Sequence, residues 1–223
     1  MKNTKKYGFT LGEVLLTVLI VGVIAILVLP SMMKNINAKS RMSLLKSMVA
    51  SIDNVSKQVI TKDRTTEITN TDIYNHPDKF LERFDQATSG EPFAKKYLKY
   101  SGKEADVKIP SNAAEGQAKA LLKNGVGIGV INELFNKEST AIILDINGED
   151  KPNMVGVDYF ILELVWKDGE GIFAGDLHGY VNGGGDESAA ETDAGLRTSC
   201  HNGNGAACFR LVELSGYDPE YIN

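Results

Sequence analysis

The sequence predicts an α+β chain. A long N-terminal helix, apolar enough for a membrane in its first half and amphipathic in its second, is expected to pack on an antiparallel β-meander. Three observations carry this. Val14–Met33 is a run of 20 residues without a charge, about the ~20 residues a helix needs to cross the hydrocarbon core of a bilayer. Beyond it, Leu45, Met48, Val49, Ile52, Val55 and Val59 recur at spacings of three and four, one face of a helix. From Ala118 onward, short apolar runs alternate with turn signals, which is how strands read.

The apolar run has a basic leader, Lys2, Lys5 and Lys6, and one acid, Glu13. In hydrocarbon a carboxylate costs several kcal/mol unless it is paired, which makes Glu13 a functional candidate. Two readings follow from the residues. If the chain is cut after Gly8, a new amino group appears at Phe9, one helical turn from Glu13, and an amine on one subunit can neutralise the carboxylate of its neighbour. Alternatively the segment is an uncleaved signal anchor whose Glu snorkels to the interface.

The order Gly8, Phe9-Thr10-Leu11, Glu13, then an apolar helix with Gly22 in its middle and Pro30 at its end resembles the class III signal of type IV pilins and type II secretion pseudopilins. Gly12 stands where many relatives carry Ile or Val. The likeness covers roughly 25 residues; the rest resembles the family only in layout. It implies that a prepilin peptidase cuts between Gly8 and Phe9 and methylates the new terminus. It further implies that Glu13 directs incorporation, and that an inner-membrane assembly platform adds the subunit to a filament of like subunits. The three lysines favour a cytoplasmic N-terminus with the head outside the cytoplasm. The chain is then a single-pass protein of the cytoplasmic membrane, in contact with lipid before it enters a periplasmic or surface filament. A secretory signal peptide would end in a small-residue cleavage site, and Leu27-Val28-Leu29-Pro30 is not one.

The expected layout is a leader at 1–8, a membrane helix at 9–33, its amphipathic continuation at 34–62, a helical and loop arm at 63–117, and a sheet with a C-terminal disulfide loop at 118–223. Pro30 removes a backbone hydrogen bond and clashes with the preceding turn, so a kink or locally melted segment is expected there. Gly22 weakens the helix by about 1 kcal/mol relative to Ala. Charge is uneven: the leader carries +3, residues 34–62 carry +5 and residues 63–223 carry −12, within a net −5. An acidic head offers no basic footprint for phosphates, so no nucleic-acid partner is expected.

In the arm, Pro77–Ala87 and Pro92–Tyr100 read as two short helices. In the sheet, Ala118–Lys123 and Val126–Asn132 flank Asn124-Gly125, a hairpin signal. Thr140–Ile146 reads as a buried strand, Val157–Lys167 alternates, and Asp168-Gly169 turns back into Ile172–Ala174. Gly125-Val126-Gly127-Ile128-Gly129 spans the hairpin and lacks the lysine and helix of a phosphate loop.

Between two strands, Asp145, Asn147, Asp150 and Asp158 could gather oxygens around Ca²⁺, although the spacing is not that of an EF-hand. The competing reading is an ordered turn whose Asx side chains bond their own backbone. No cofactor is otherwise required. Residues 182–195 form an acidic Gly-rich loop. Cys200 and Cys208, the only cysteines, are expected to pair in a head exported from the cytoplasm. With His201 they would make a metal site one ligand short. Phe209–Leu214 reads as a last strand or short helix. His76, His178 and His201 are scattered and no hydrolase or metalloprotease motif occurs, so the chain is expected to be structural rather than an enzyme. The alternative is a membrane-anchored binding module, an adhesin or a competence-type pseudopilin with a ligand-binding head.

Overall fold

The structure, a computed structural model, describes residues 8, 10–65, 67–135, 139–167, 171–174 and 192–218. Phe9, the leader lysines, the Asp168-Gly169 turn and most of the acidic loop lie outside the described residues. The chain divides into two units, Met1–Lys39 and Ser40–Asn223. Helix α1, Leu11–Asp63, contributes to both. It is helical through Gly22 and Pro30, where a melted segment was an expectation.

In the first unit, Leu11–Val28 is long and apolar enough to cross a membrane, and none of it is buried within the chain. Signal sequences share that property.

The second unit holds the core. The antiparallel sheet runs β1 (Gln117–Leu121), β2 (Gly127–Asn132), β3 (Thr140–Asp145), β4 (Tyr159–Lys167) and β5 (Gly171–Ala174), in sequence order. The β1–β2 hairpin closes through Leu122 and Val126, with Gly125 in the left-handed region at φ 85°. That dihedral is what a glycine supplies. Strands β2 and β3 are buried along almost their whole length, so both faces of the sheet are covered.

Register shows how. Gly129, Ile143 and Ile161 stand in line across β2, β3 and β4, as do Gly127, Asp145 and Tyr159. Cross-strand neighbours share a face. On this face a Cβ at Gly127 would fall 1.6 Å from the Pro92 carbonyl oxygen, and one at Gly129 would fall 2.3 Å from Pro110 Cγ. The arm therefore crosses the sheet in backbone contact, and the glycines of 125–129 serve close approach. Phe93, Ala94 and Tyr97 are buried there.

The opposite face, with Ile128, Val130, Ile142, Leu144, Phe160 and Leu162, is buried in one cluster with Met42, Leu45, Met48, Val49, Ile52 and Val59 of α1. The helical spacing of these six places them on one stripe. Asn124 Nδ2 lies 3.6 Å from Met48 Sδ, a contact between the hairpin and that stripe.

Two short helices follow α1: α2 (Asp72–Asn75) and α3 (Pro77–Leu81). The helix expected over Pro77–Ala87 ends at Leu81, and Gln86 instead bridges Leu122. Pro92–Tyr100 is not helical. Leu98 bridges Met154 and Glu104, and the Tyr97 hydroxyl accepts from the Ala94 amide at 3.0 Å.

The C-terminal region holds helices α4 (Asp193–His201) and α5 (Gly205–Leu214); of the two expectations for Phe209–Leu214, strand or short helix, the structure has the helix, and residues 193–201 are helix rather than loop. Thr192 accepts from the Gly195 amide, and Asn204 accepts from the amides of Ala206 and Ala207. Both are N-caps. Helix α5 packs on β4 without a spacer, since a Cβ at Gly205 would lie 2.9 Å from the Tyr159 ring.

Candidate functional site

At the start of α1, Gly8 is exposed and Glu13 has a local partner. Its Oε2 accepts from the Thr10 amide and the Thr10 hydroxyl, both at 2.8 Å, while the Glu13 amide reaches Thr10 Oγ1 at 3.3 Å. Thr10-Leu11-Gly12-Glu13 is thus a capping box, in which first-turn donors are satisfied by the two side chains reciprocally. A carboxylate held this way costs less in an apolar setting than an isolated one. Sequence reasoning weighed only amines as partners for Glu13. The T-x-x-E spacing was the available signal. A Cβ at Gly22 would meet nothing within 4 Å.

The Asp145–Asp158 loop is the polar centre of the second unit. Asp145 ends β3 and is fully buried. Its Oδ2 accepts from the Tyr97 hydroxyl and its Oδ1 from the Asn147 amide at 3.3 Å. Burial pushes its carboxyl up to about 7, against the hydrogen bonds from Tyr97 and Asn147; the charge of Asp158 adds to the rise. Burial likewise raises Asp158 to about 6, with Arg41 opposing. Asp158 Oδ1 stands 3.4 Å from Arg41 Nη1, and Oδ2 accepts from the Met154 amide at 3.2 Å. Tyr97 is pushed up by its own burial and by Asp145. Its ring packs 4.8 Å from that of Tyr159.

These contacts bear on Ca²⁺. Asp145 and Asp158 are each engaged by a protein donor, and Asp150 is exposed. Asn147 donates to the carbonyls of Asp150 and Lys151, and Asp145 Oδ1 with the Asn147 amide makes the Asx turn of an ordered loop. Among the described residues no group of three or more His, Cys, Asp or Glu is placed to hold a metal. Asn147 Oδ1, Asn153 Oδ1 and Asp158 Oδ1 are buried in this loop without a hydrogen-bond partner, three oxygens where Ca²⁺ takes six to eight ligands.

Cys200 and Cys208 are disulfide-bonded, S–S 2.06 Å, and link the end of α4 to the start of α5. His201 instead stacks on Tyr100, with ring centroids 4.3 Å apart.

The chain matches no family model, no curated protein and no solved structure.

A cleft of about 400 Å³ opens between α2, the loop before β1 and the end of β2, lined by Tyr74, Asn75, Glu115, Gly116, Asn132 and Glu133. Asn132 organises it. Its Nδ2 donates to the Tyr74 carbonyl at 2.6 Å and its Oδ1 accepts from Thr140 at 3.1 Å. Tyr74 donates to Glu133 at 2.7 Å.

Proposed function

We propose that this chain is a structural subunit of a pilus or pseudopilus of the type II secretion or type IV pilus kind. In this reading it is cut by a prepilin peptidase after Gly8, and Glu13 directs its addition to a filament of like subunits by an inner-membrane platform. The observation that carries the reading is an apolar helical segment, Leu11–Val28, that the chain itself leaves uncovered, headed by one acid in a Gly-Phe-Thr-Leu-x-Glu setting. Uncovered apolar surface of this extent requires an apolar partner, first lipid and then neighbouring helices. Orientation with the N-terminus inside and the head outside belongs to the same proposal, and the disulfide-bonded head is in keeping with an oxidising compartment.

Mass spectrometry of the purified membrane form tests processing: the reading expects a chain that begins at a methylated Phe9, and a chain that keeps Met1 ends it. Glu13→Ala tests assembly. The variant is expected to insert in the membrane with a folded head and to be missing from sheared filaments. Normal incorporation would rule out the role given to Glu13.

The second reading is a membrane-anchored binding module, favoured by the acidic cleft at Glu115 and Glu133. It expects a ligand whose binding is lost in Glu133→Gln and kept in Glu13→Ala.

A further inference from the structure

The turn Met154–Asp158 is held from two sides. At its apex Gly156 sits at φ 86°, and a Cβ there would fall 2.8 Å from Cys208 Sγ and 3.0 Å from Cys200 Sγ. The disulfide therefore rests directly on the Gly156 backbone. At the base of the turn, Asp158 grips Arg41 of α1 at 3.4 Å from a fully buried position. Between these points the turn is tied to itself: the Asp158 amide donates to the Met154 carbonyl, and Asp158 Oδ2 accepts from the Met154 amide. So short and closed a turn transmits a displacement at Gly156 to a carboxylate two residues away. The two sulfurs are 1% and 0% exposed, and α5 is seated on Tyr159 through Gly205, so the support behind the turn is firm while the bond is intact.

We propose that the Cys200–Cys208 disulfide is a redox lock on the Arg41–Asp158 clasp, so that α1 is gripped at Arg41 only in the oxidised chain. The lock is set by thiol–disulfide exchange with a dithiol oxidant in its disulfide form. The Cys200–Cys208 bond forms as the oxidant's sulfur–sulfur bond breaks, and the two thiol protons and two electrons leave on the resulting dithiol. With both sulfurs buried, a reductant reaches the bond only after local opening, so the lock is set once and held. The inference does not depend on the filament reading.

A double-mutant cycle on the full chain in detergent micelles tests it. Arg41→Met, Asp158→Asn and their combination are compared in the unfolding equilibrium, first with the disulfide intact and then in a Cys200→Ala/Cys208→Ala background. The expected coupling is roughly tenfold in the equilibrium constant with the bond intact, within the range of contacting pairs, and within about twofold without it. A disulfide that only stabilises the fold would lower every stability and leave the coupling unchanged, and that result overturns the proposal, as does a coupling below twofold in the oxidised chain. If the double-alanine chain does not fold, hydrogen exchange decides on wild type before and after phosphine reduction, with both thiols shown by alkylation and mass spectrometry to be free in the reduced sample. Faster exchange confined to 154–158 and the turn of Arg41 supports the lock. No change at those amides, or equal acceleration throughout β2, β3 and β4, overturns it.

Discussion

The two halves of α1 share a secondary structure and differ in what satisfies their apolar side chains. Between Leu11 and Val28 none of the residues is buried. Between Met42 and Val59 the stripe is closed by the chain's own core, with Leu45, Ile52 and Val59 at zero exposure. Helix propensity does not distinguish them. The distinction is whether apolar residues cover the whole circumference or one face, because a one-sided stripe can be buried by a single sheet and an all-round surface cannot. The second half is therefore an internal matter of the head, and the first half is an unfilled requirement for something outside the chain.

The largest expected effect comes from placing the same charge in both halves. Ile52→Asp puts a carboxylate at a fully buried position with no cation provided for it, a penalty of several kcal/mol, and the head is expected not to fold. Ile20→Asp is expected to leave the head's thermal midpoint unchanged while weakening membrane partition, since an aspartate at a span centre costs roughly 2.5–3.5 kcal/mol. Circular-dichroism melts and membrane flotation read the two outcomes. A head destabilised by Ile20→Asp would break the comparison. Next in size is Leu45→Ala, expected to cost about 2–5 kcal/mol of head stability in denaturant titration, against no change for Leu19→Ala.

What was legible in the sequence divides along the same line. Stripe, hairpin and strand order follow from local periodicity and from Asn124-Gly125, and all lie within a few residues of their signals. The missed features depend on distant partners. Pro92–Tyr100 carries helical spacing but lies on the sheet because Gly127 leaves room for the Pro92 backbone and Gly129 for the Phe93 ring, and nothing near residue 92 announces those glycines. The ion pair of Arg41 with Asp158 joins residues far apart in sequence, so nothing near Asp158 announces its partner. Helix α4 is readable from Thr192, an ordinary N-cap residue, although the glycines before it favour loop; for α5 a short helix was one of two expectations over Phe209–Leu214, and Asn204 as N-cap marks its earlier start. Thr10 with Glu13 was likewise a capping box in plain sequence.

Gly127→Ala sharpens the account of the arm. A methyl group there meets the Pro92 carbonyl at 1.6 Å, far inside contact distance, so the arm must lift. Overpacking of this kind costs typically about 1–3 kcal/mol, and hydrogen exchange is expected to rise across 92–98 before the rest of the head. Unchanged protection there would mean that the arm is not seated as described.

A pH dependence belongs to the head alone. Asp145 and Asp158 are raised to about 7 and about 6 by burial, above the unfolded carboxyl near 3.9. A folded state that holds protons more tightly than the unfolded one loses stability as pH rises between the two values. These two groups therefore favour the folded head most below about pH 4 and least above about pH 7. Asp72, lowered chiefly by its hydrogen bond from Lys62, acts in the opposite sense below pH 4, so maximal stability is expected on the acid side of neutrality. Asp145→Asn isolates the larger contribution. Its side-chain oxygen still accepts from Tyr97, but no charge develops. The variant is expected to match wild type at pH 4 and to exceed it at pH 8, as read by denaturant midpoints. Equal pH profiles for the two proteins would mean that Asp145 ionises as freely in the folded head as in the unfolded chain, and that the Tyr97 contact does not seal it from water.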